Sequence, residues 1–437
     1  MGLFNLLENT VMIGVFGQTY DISLDWIGNL VKGLIDGVGV VGIGIILFSL
    51  ILKAIVLPFD VYQRINMRKQ NIKMKENQKR MEKLQKQYAN DKDAYQRKLM
   101  EMYKESGISV MSSCLPMILS MVVFISAIGA FNAYSQYSSV ENYNVMVGAY
   151  NQKIESIMTE FKTAGVQFKD EDNEQDGQYT IVIDSIATSS HEELKAVLDN
   201  LSTEGYNSLE DAQDAAVSNY IISKAQDAVV VAYETEVKDS VSFLWIKNIW
   251  ATDATYKHPV LTYGDFKAEA EREKFIVGGE TKSFADVINA AGSGISPYDE
   301  LAYNRITAKL NAQKEAPNGY YILILLSIGT ILLQQFVSMR SQKEQQKFSS
   351  VDGQGASQQK TTMVVMTAMF AIFSFMYSAA FSIYMIMSNI LSLISTLIIN
   401  KIVDVVAEKR EAQALQNQYN KRFPGRTANT KKDEKRK

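Results

Sequence analysis

The chain has 437 residues, room for two or three folding units, with a formal net charge of -3 and a 47% hydrophobic fraction. That balance excludes a uniformly basic nucleic-acid binder, and so DNA as a partner, and the six prolines and high apolar content argue against disorder. Two histidines, His191 and His258, and one cysteine, Cys114, exclude a His/Cys zinc cluster and any intramolecular disulfide, so neither metal nor other cofactor is expected.

Residues 1–37 carry one lysine against four acids and form an external N-terminal segment. No removable secretory signal is expected, because no positive charge precedes an apolar run and no A-x-A-like site follows. There is no lipobox cysteine, and Leu6 stands where a myristoylation signal needs Ser or Thr. Over 22–35, Ile27, Leu30, Val31, Leu34 and Ile35 recur at helical spacing beside Asp25, Asn29 and Lys32, predicting an amphipathic helix in the membrane interface.

The stretch 38–59 has a single charge, Lys53, and at 1.5 Å per residue reaches roughly 33 Å, the thickness of a bilayer core. It is the first predicted span. The G-x-G-x-x-G match at 37–42 follows no strand and precedes this span, so it is not a dinucleotide site, and no Walker-type phosphate loop occurs. Residues 60–107 are highly charged. Their apolar positions Met67, Met74, Met81, Leu84, Tyr88, Tyr95, Leu99 and Tyr103 suit a narrow helix–helix seam with a turn at 89–91, predicting a cytoplasmic helical hairpin with arms of fifteen residues or more; a solvated linker is the other reading.

A second span is predicted at 108–135. Residues 136–318 are acidic and long enough for an external domain of mixed, mainly helical structure, with helices at 150–162, 190–201 and 210–237 and a strand at 179–183. A third span follows at 319–339, then a cytoplasmic loop at 340–360. The 40 uncharged residues from 361 to 400 are too long for one span and suit two, at 361–379 and 381–402, turning near Ser378, Ala379, Ala380 and Ser382. The remainder, 403–437, is a basic cytoplasmic tail.

Charge sets the orientation. The 60–105 segment has 13 Lys/Arg against 7 acids, whereas 136–318 has 15 against 30, which places the basic loops in the cytoplasm, the N-terminus outside and the C-terminus inside. The fold class is therefore an all-α polytopic membrane protein: a five-helix transmembrane core, a cytoplasmic hairpin and an inserted external, mainly helical α+β domain.

Lys53 is the residue to explain, since a charge within a span usually faces protein or water. Its position, six residues before Phe59, leaves two readings open: an ammonium snorkelling to the inner headgroups, or a cation in a water-filled pocket open to the cytoplasm. Ser112, Ser113, Gln334, Gln335, Ser378, Tyr384, Ser388, Asn389 and Ser392 could line such a pocket or bond between helices. No carboxylate falls within the five predicted spans, which disfavours an ion-coupled transporter and leaves Lys53 without an intramembrane anion. Six methionines in the last two spans, Met385 among them, fill irregular cores or accept varied apolar partners. No catalytic grouping emerges, and the chain reads as a non-enzyme.

A first span carrying a charge and ending Leu57-Pro58, a basic hairpin, and a second span opening Cys114-Leu115-Pro116 together resemble the YidC family of Oxa-type membrane protein insertases. The runs 83–88 and 99–107, 243–248 with Asp253, and Tyr384, Ser388 and Asn389 with 398–400 carry the resemblance across all five spans. The resemblance implies insertion and folding of membrane proteins, without nucleotide hydrolysis, through a hydrophilic groove open to cytoplasm and lipid in the bacterial plasma membrane. The family's groove arginine falls at Lys53, which keeps the charge but loses the planar fork. Ser113, Gln334, Gln335, Tyr384, Met385, Ser388 and Asn389 become candidate client contacts. Implied partners are nascent membrane proteins and the bilayer, with the ribosome, through tail and hairpin, and the Sec translocon as further candidates. The sequence departs from the family at Ser109-Val110, at 120–122, at Met385, and in insertions before Ser242 and after Asp253. A receptor or scaffold with an external sensing domain is the alternative.

Overall fold

The computed structural model describes residues 13–107, 111–163, 168–169, 178–181, 192–289, 296–341 and 355–422. In chain order these form β1 (Ile13–Gly14), β2 (Asp21–Ile22), α1 (Trp26–Val38), α2 (Val41–Glu76), α3 (Gln78–Gln87), α4 (Lys92–Glu105) and α5 (Met111–Thr163). Then come β3 (Phe168–Lys169), β4 (Gln178–Ile181), α6 (Glu192–Asp199), α7 (Leu209–Ala232), α8 (Lys238–Val241) and α9 (Tyr263–Ala270). The order closes with β5 (Lys274–Val277), β6 (Glu280–Ser283), α10 (Phe284–Asn289), α11 (Glu300–Ile306), α12 (Asn311–Glu315), α13 (Ile322–Ser341), α14 (Gly355–Met376) and α15 (Ala379–Arg422). The chain divides into two compact units, one of Met1–Ile45, Ile128–Ile324 and Ser374–Phe381, the other of Ile46–Ala127, Leu325–Phe373 and Ser382–Lys437.

In the first unit the N-terminal segment is woven into sheets, which its sequence did not suggest. β1 pairs antiparallel with β4 and β2 with β5, giving three-stranded sheets ordered β1-β4-β3 and β2-β5-β6. Asn151 on α5 clamps the link between β1 and β2 by exchanging two hydrogen bonds with the backbone of Phe16, at 2.9 and 2.8 Å. Since Asp21 and Ile22 are taken by a strand, the helix expected from 22 begins only at Trp26, where the Asp25 carboxylate accepts from the Gly28 N–H. The β5–β6 hairpin turns through Gly278 and Gly279, both at positive φ, a two-residue turn open to glycine without strain.

An aromatic cluster fills this unit. The Tyr143 ring lies 4.8 Å from Phe266 and 4.9 Å from Tyr303, and Phe266 stacks on Tyr303 at 4.7 Å. Buried hydroxyls find acceptors: Tyr143 donates to the Pro297 carbonyl and Tyr298 to Asn144 Oδ1. The helix expected at 150–162 is the end of α5, which runs unbroken from 111 through Gly129 and Gly148, with no proline after Pro116 in its first turns. The helix expected at 210–237 is α7 continued by a single π-turn at Tyr233–Val237, that expected at 190–201 is α6, and the strand expected at 179–183 is β4. Ser190, Val182 and Ile183 lie outside the described residues, as do 108–110 of the second expected span.

In the second unit the charged segment forms a helical hairpin. α3 and α4 enclose Met81, Tyr95, Leu99 and Met102 together with Met74 from the end of α2, flanked by Leu84, Tyr88 and Tyr103. The chain turns at 88–91, and Asp91 caps α4 by accepting from the Ala94 N–H. The arms are unequal, 10 and 14 residues, because α2 carries the first arm as far as Glu76 before a break at Asn77. Three helical stretches among the described residues are long and apolar enough to cross a membrane, Val41–Gln63, Ile322–Arg340 and Ala379–Ile399, and Met363–Met376 is a shorter apolar one.

The break between the last two apolar helices falls at Tyr377 and Ser378, at the start of the expected turn. It is held by the first unit's own backbone: the N–H groups of Ala379 and Ala380 donate to the carbonyls of Ala251 and Ile249 at 2.9 Å, and Thr252 Oγ1 donates to the Tyr377 carbonyl. The small side chains are needed because Ala379 and Ala380 are wholly buried there.

Candidate functional site

Lys53 lies mid-way along the apolar part of α2. Its Nζ contacts Asp60 Oδ2 at 2.6 Å and donates to Ser392 Oγ of α15 at 2.9 Å. Residues seven apart share a helix face, so Asp60 comes within reach over two turns, past Pro58, which has no N–H for the Ala54 carbonyl. The pair is largely withdrawn from solvent, with the lysine and aspartate side chains 14% and 21% exposed.

Lys53 thus has a carboxylate partner that the sequence reading did not give it. The apolar helix extends to Gln63 and includes Asp60, which charge alone had assigned to a loop. Burying either charge singly is expensive; together, with a hydroxyl completing the ammonium's shell, the two largely offset that cost. The site is thus a neutral ion pair with donors and acceptors, rather than a free cation.

α15 continues the polar surface. Tyr384, Ser388, Ser392 and Thr396 follow at intervals of four and share one stripe of the helix. The Tyr384 hydroxyl bonds to Ser388, and Thr396 Oγ1 donates to the Ser392 carbonyl at 2.6 Å. Beside the stripe, Asn389 Nδ2 donates to Thr330 Oγ1 of α13 at 3.3 Å, while Thr367 Oγ1 of α14 donates to Gln335 Oε1 at 3.1 Å. Tyr384, Met385 and Asn389 are buried; Ser388 and Gln334 are half-buried.

The geometry therefore joins Lys53 to Ser392, Tyr384 to Ser388, and Asn389 and Gln335 to threonines on α13 and α14. It gives Gln334 no such link to the ion pair, and the side chain of Ser113 lies outside the described residues. Asp60, Thr330, Thr367 and Thr396 escaped the sequence reading. The i+7 spacing of Asp60 from Lys53 was the one available signal for it.

Asp253 takes a second structural role. It is wholly buried, and its carboxylate accepts from the N–H groups of Tyr320, Tyr321 and Leu323 at 2.7, 3.2 and 2.6 Å, so an anion sits on the N-terminus of α13. A Cβ at Gly319 would stand 1.9 Å from Asp253 Oδ1, which makes glycine obligatory at that approach. Among the described residues no group of His, Cys, Asp or Glu has the arrangement of a metal site.

A family model described as 60Kd inner membrane protein matches residues 34–180 and 229–408, most of the chain. The chain belongs to this family, the YidC and Oxa-type proteins. Relatives named "Membrane protein insertase YidC" from Francisella tularensis subsp. novicida, Francisella tularensis subsp. tularensis and Francisella philomiragia subsp. philomiragia are each 34% identical over 120 residues. The match takes in 28% of this chain, and the chain spans only 20% of the length of each of these relatives. Family membership and the apolar helices make this YidC-family chain a multi-pass membrane protein of bacterial type. The family match is interrupted from 181 to 228, the stretch that carries α6 and most of α7.

Proposed function

We propose that this YidC-family protein is a membrane protein insertase, a non-enzyme that brings integral membrane proteins into the bacterial plasma membrane and helps them fold without nucleotide hydrolysis. The observation that carries the reading is the Lys53–Asp60 pair with Ser392, a desolvated polar cluster set among helices otherwise apolar enough to lie in lipid. Intramembrane ion pairs are costly and mark pathways.

In this reading five spans, the three long apolar helices together with α14 and the apolar start of α5, surround a hydrophilic groove open to the cytoplasm and lipid. Tyr384, Ser388, Asn389, Gln334, Gln335, Met385 and Ser113 line or flank it. The acidic N-tail of a client exchanges with Asp60 for the Lys53 ammonium, so the cation is released only to a competing carboxylate. Its apolar segment then moves to lipid. The basic hairpin and tail face the cytoplasm and the ribosome, the N-terminus and the acidic domain lie outside, and a Sec translocon acts beside the protein on some clients.

Reconstitution into liposomes tests this. Lys53→Ala is expected to impair insertion of clients with acidic tails while Lys53→Arg retains it; equal insertion by wild type and Lys53→Ala removes the charge from the mechanism.

A further inference from the structure

A cavity of about 360 Å³ lies within the first unit, walled by α5 near Ser135, by Trp250 and the chain that follows it, by α9, and by the turn at Met376 and Tyr377. Small-ligand sites start at roughly 300 Å³. Glu269 of α9 contributes its carboxylate, and Oε2 is buried with no hydrogen-bond partner. Burial pushes that carboxyl up to about 6, although the Ser139 hydroxyl, Arg272 and Lys257 draw it down. Buried polar atoms are normally met by protein, water or an ion, so this oxygen marks a place in the cavity for a donor.

Arg272 and Lys257 line the same cavity, are solvent-exposed, and make no side-chain hydrogen bond or ion pair with another described residue. Asp265 is already engaged, holding the Thr262 hydroxyl at 2.8 Å at the start of α9. One buried oxygen without a hydrogen-bond partner and two exposed cations therefore share a space with the apolar walls of Trp250, Val260 and Met376. A plain anion suits only one part of it and a plain cation only the other. A molecule carrying an ammonium a few ångströms from an anion suits both.

The surroundings indicate where such a molecule comes from. The turn at 377–378 ends two apolar helices, Met363–Met376 and Ala379–Ile399, and on the five-span reading proposed above, on which this inference rests, the wall stands at the edge of the hydrocarbon. Tyrosines gather there: Tyr256 donates to the Phe375 carbonyl at 3.1 Å, Tyr321 bonds Thr255, and the Tyr321 ring lies 6.2 Å from Phe375. Tyrosine at the ends of apolar helices is the pattern of the headgroup layer.

We propose that this cavity binds the headgroup of a zwitterionic phospholipid, with its ammonium on Glu269 and its phosphate between Arg272 and Lys257. The test uses the full chain in nanodiscs of mixed phosphatidylethanolamine and phosphatidylglycerol, counting lipid retained after detergent extraction by native mass spectrometry. Wild type is expected to retain phosphatidylethanolamine about tenfold over phosphatidylglycerol, the scale of one charge-assisted hydrogen bond. Glu269→Gln, which keeps the shape, is expected to bring that preference near parity, whereas Arg272→Gln, at an exposed position, is expected to lower retention of both lipids several-fold, since both carry the phosphate. Soluble glycerophosphoethanolamine, carrying the same two charges, is expected to displace the lipid only weakly. Equal retention of the two lipids by wild type overturns the proposal. So does a preference unchanged in Glu269→Gln, or retention of both lipids unchanged in Arg272→Gln, and tight binding of the soluble compound overturns the lipid assignment.

Discussion

Lys53 and Asp60 stand two helical turns apart on α2 and close an ion pair at 2.6 Å, with Ser392 of α15 as a further acceptor for the same ammonium. Removing one partner strands the other in an apolar setting, whereas removing both strands nothing. Lys53→Met and Asp60→Leu are each expected to lower stability by on the order of 2 kcal/mol, less than for a fully sealed pair because both side chains keep some exposure. The double variant is expected to recover most of that loss. A double-mutant cycle by thermal unfolding in detergent measures the coupling, and strictly additive losses would show the pair to be energetically idle.

If a client carboxylate competes with Asp60, weakening the internal partner favours the client. Asp60→Asn is expected to raise the initial rate of insertion of clients with acidic tails several-fold at limiting concentration, and to leave clients with neutral tails unchanged. Time courses in liposomes resolve this. A slower rate for acidic clients contradicts the exchange.

Asp253 and Gly319 make one device, so their substitutions are not independent. Asp253→Ala forfeits three hydrogen bonds from backbone N–H groups to a charged acceptor and is expected to cost about 3 kcal/mol or more. Gly319→Ala drives a methyl into the same carboxylate. The double variant is expected to be little worse than the costlier single one, as judged from the shifts in Tm.

Glu273 is buried near Asp25 and Glu269. Desolvation first, then those two carboxylates, raise it to about 7 from an ordinary value of 4.5. The folded state therefore holds its proton more tightly than the unfolded chain does. Between about pH 4.5 and 7 the native form retains a proton that the unfolded form has lost, so stability falls as pH rises through this window and stays lower above it. Glu269, raised to about 6, acts in the same direction. Glu273→Gln is expected to raise Tm at pH 8, to change it little at pH 4.5, and to flatten the slope between. Parallel Tm profiles for variant and wild type would exclude this origin.

Leu99 is buried between α3 and α4 with Met81 and Tyr95. Leu99→Ala is expected to cost about 2–4 kcal/mol. Hydrogen exchange should show the loss within the hairpin, with the amides around Tyr143 and Tyr303 remaining protected.

The hairpin was legible because its apolar residues are few and spaced by sevens and fours, so only one face could be buried; Met74, Met81, Tyr95 and Leu99 lie there. The turn at 377–378 was legible from the length of the apolar run. Asp60 was not, because the end of the apolar residues was taken as the end of the useful helix, yet α2 continues through charged residues that form helix equally well. Strands of two residues, such as Ile13–Gly14 and Asp21–Ile22, are too short for alternation to register. Ser392 showed as one hydroxyl among several, and only the fold selects it as the one that meets Lys53.

The backbone around Asp253 also bears on how the chain could have acquired its extra mass. Lys257 and Asn318 are joined by a hydrogen bond at 2.8 Å, and Asn248 clasps Asn318 from the other side. The sixty or so residues between leave and re-enter through a single doorway. Between those ends the segment also pairs β5 with β2 and packs Phe266 and Tyr303 on Tyr143, so it can be rebuilt over evolutionary time only together with those partners, while its pinned ends keep the start of α13 at the same residue.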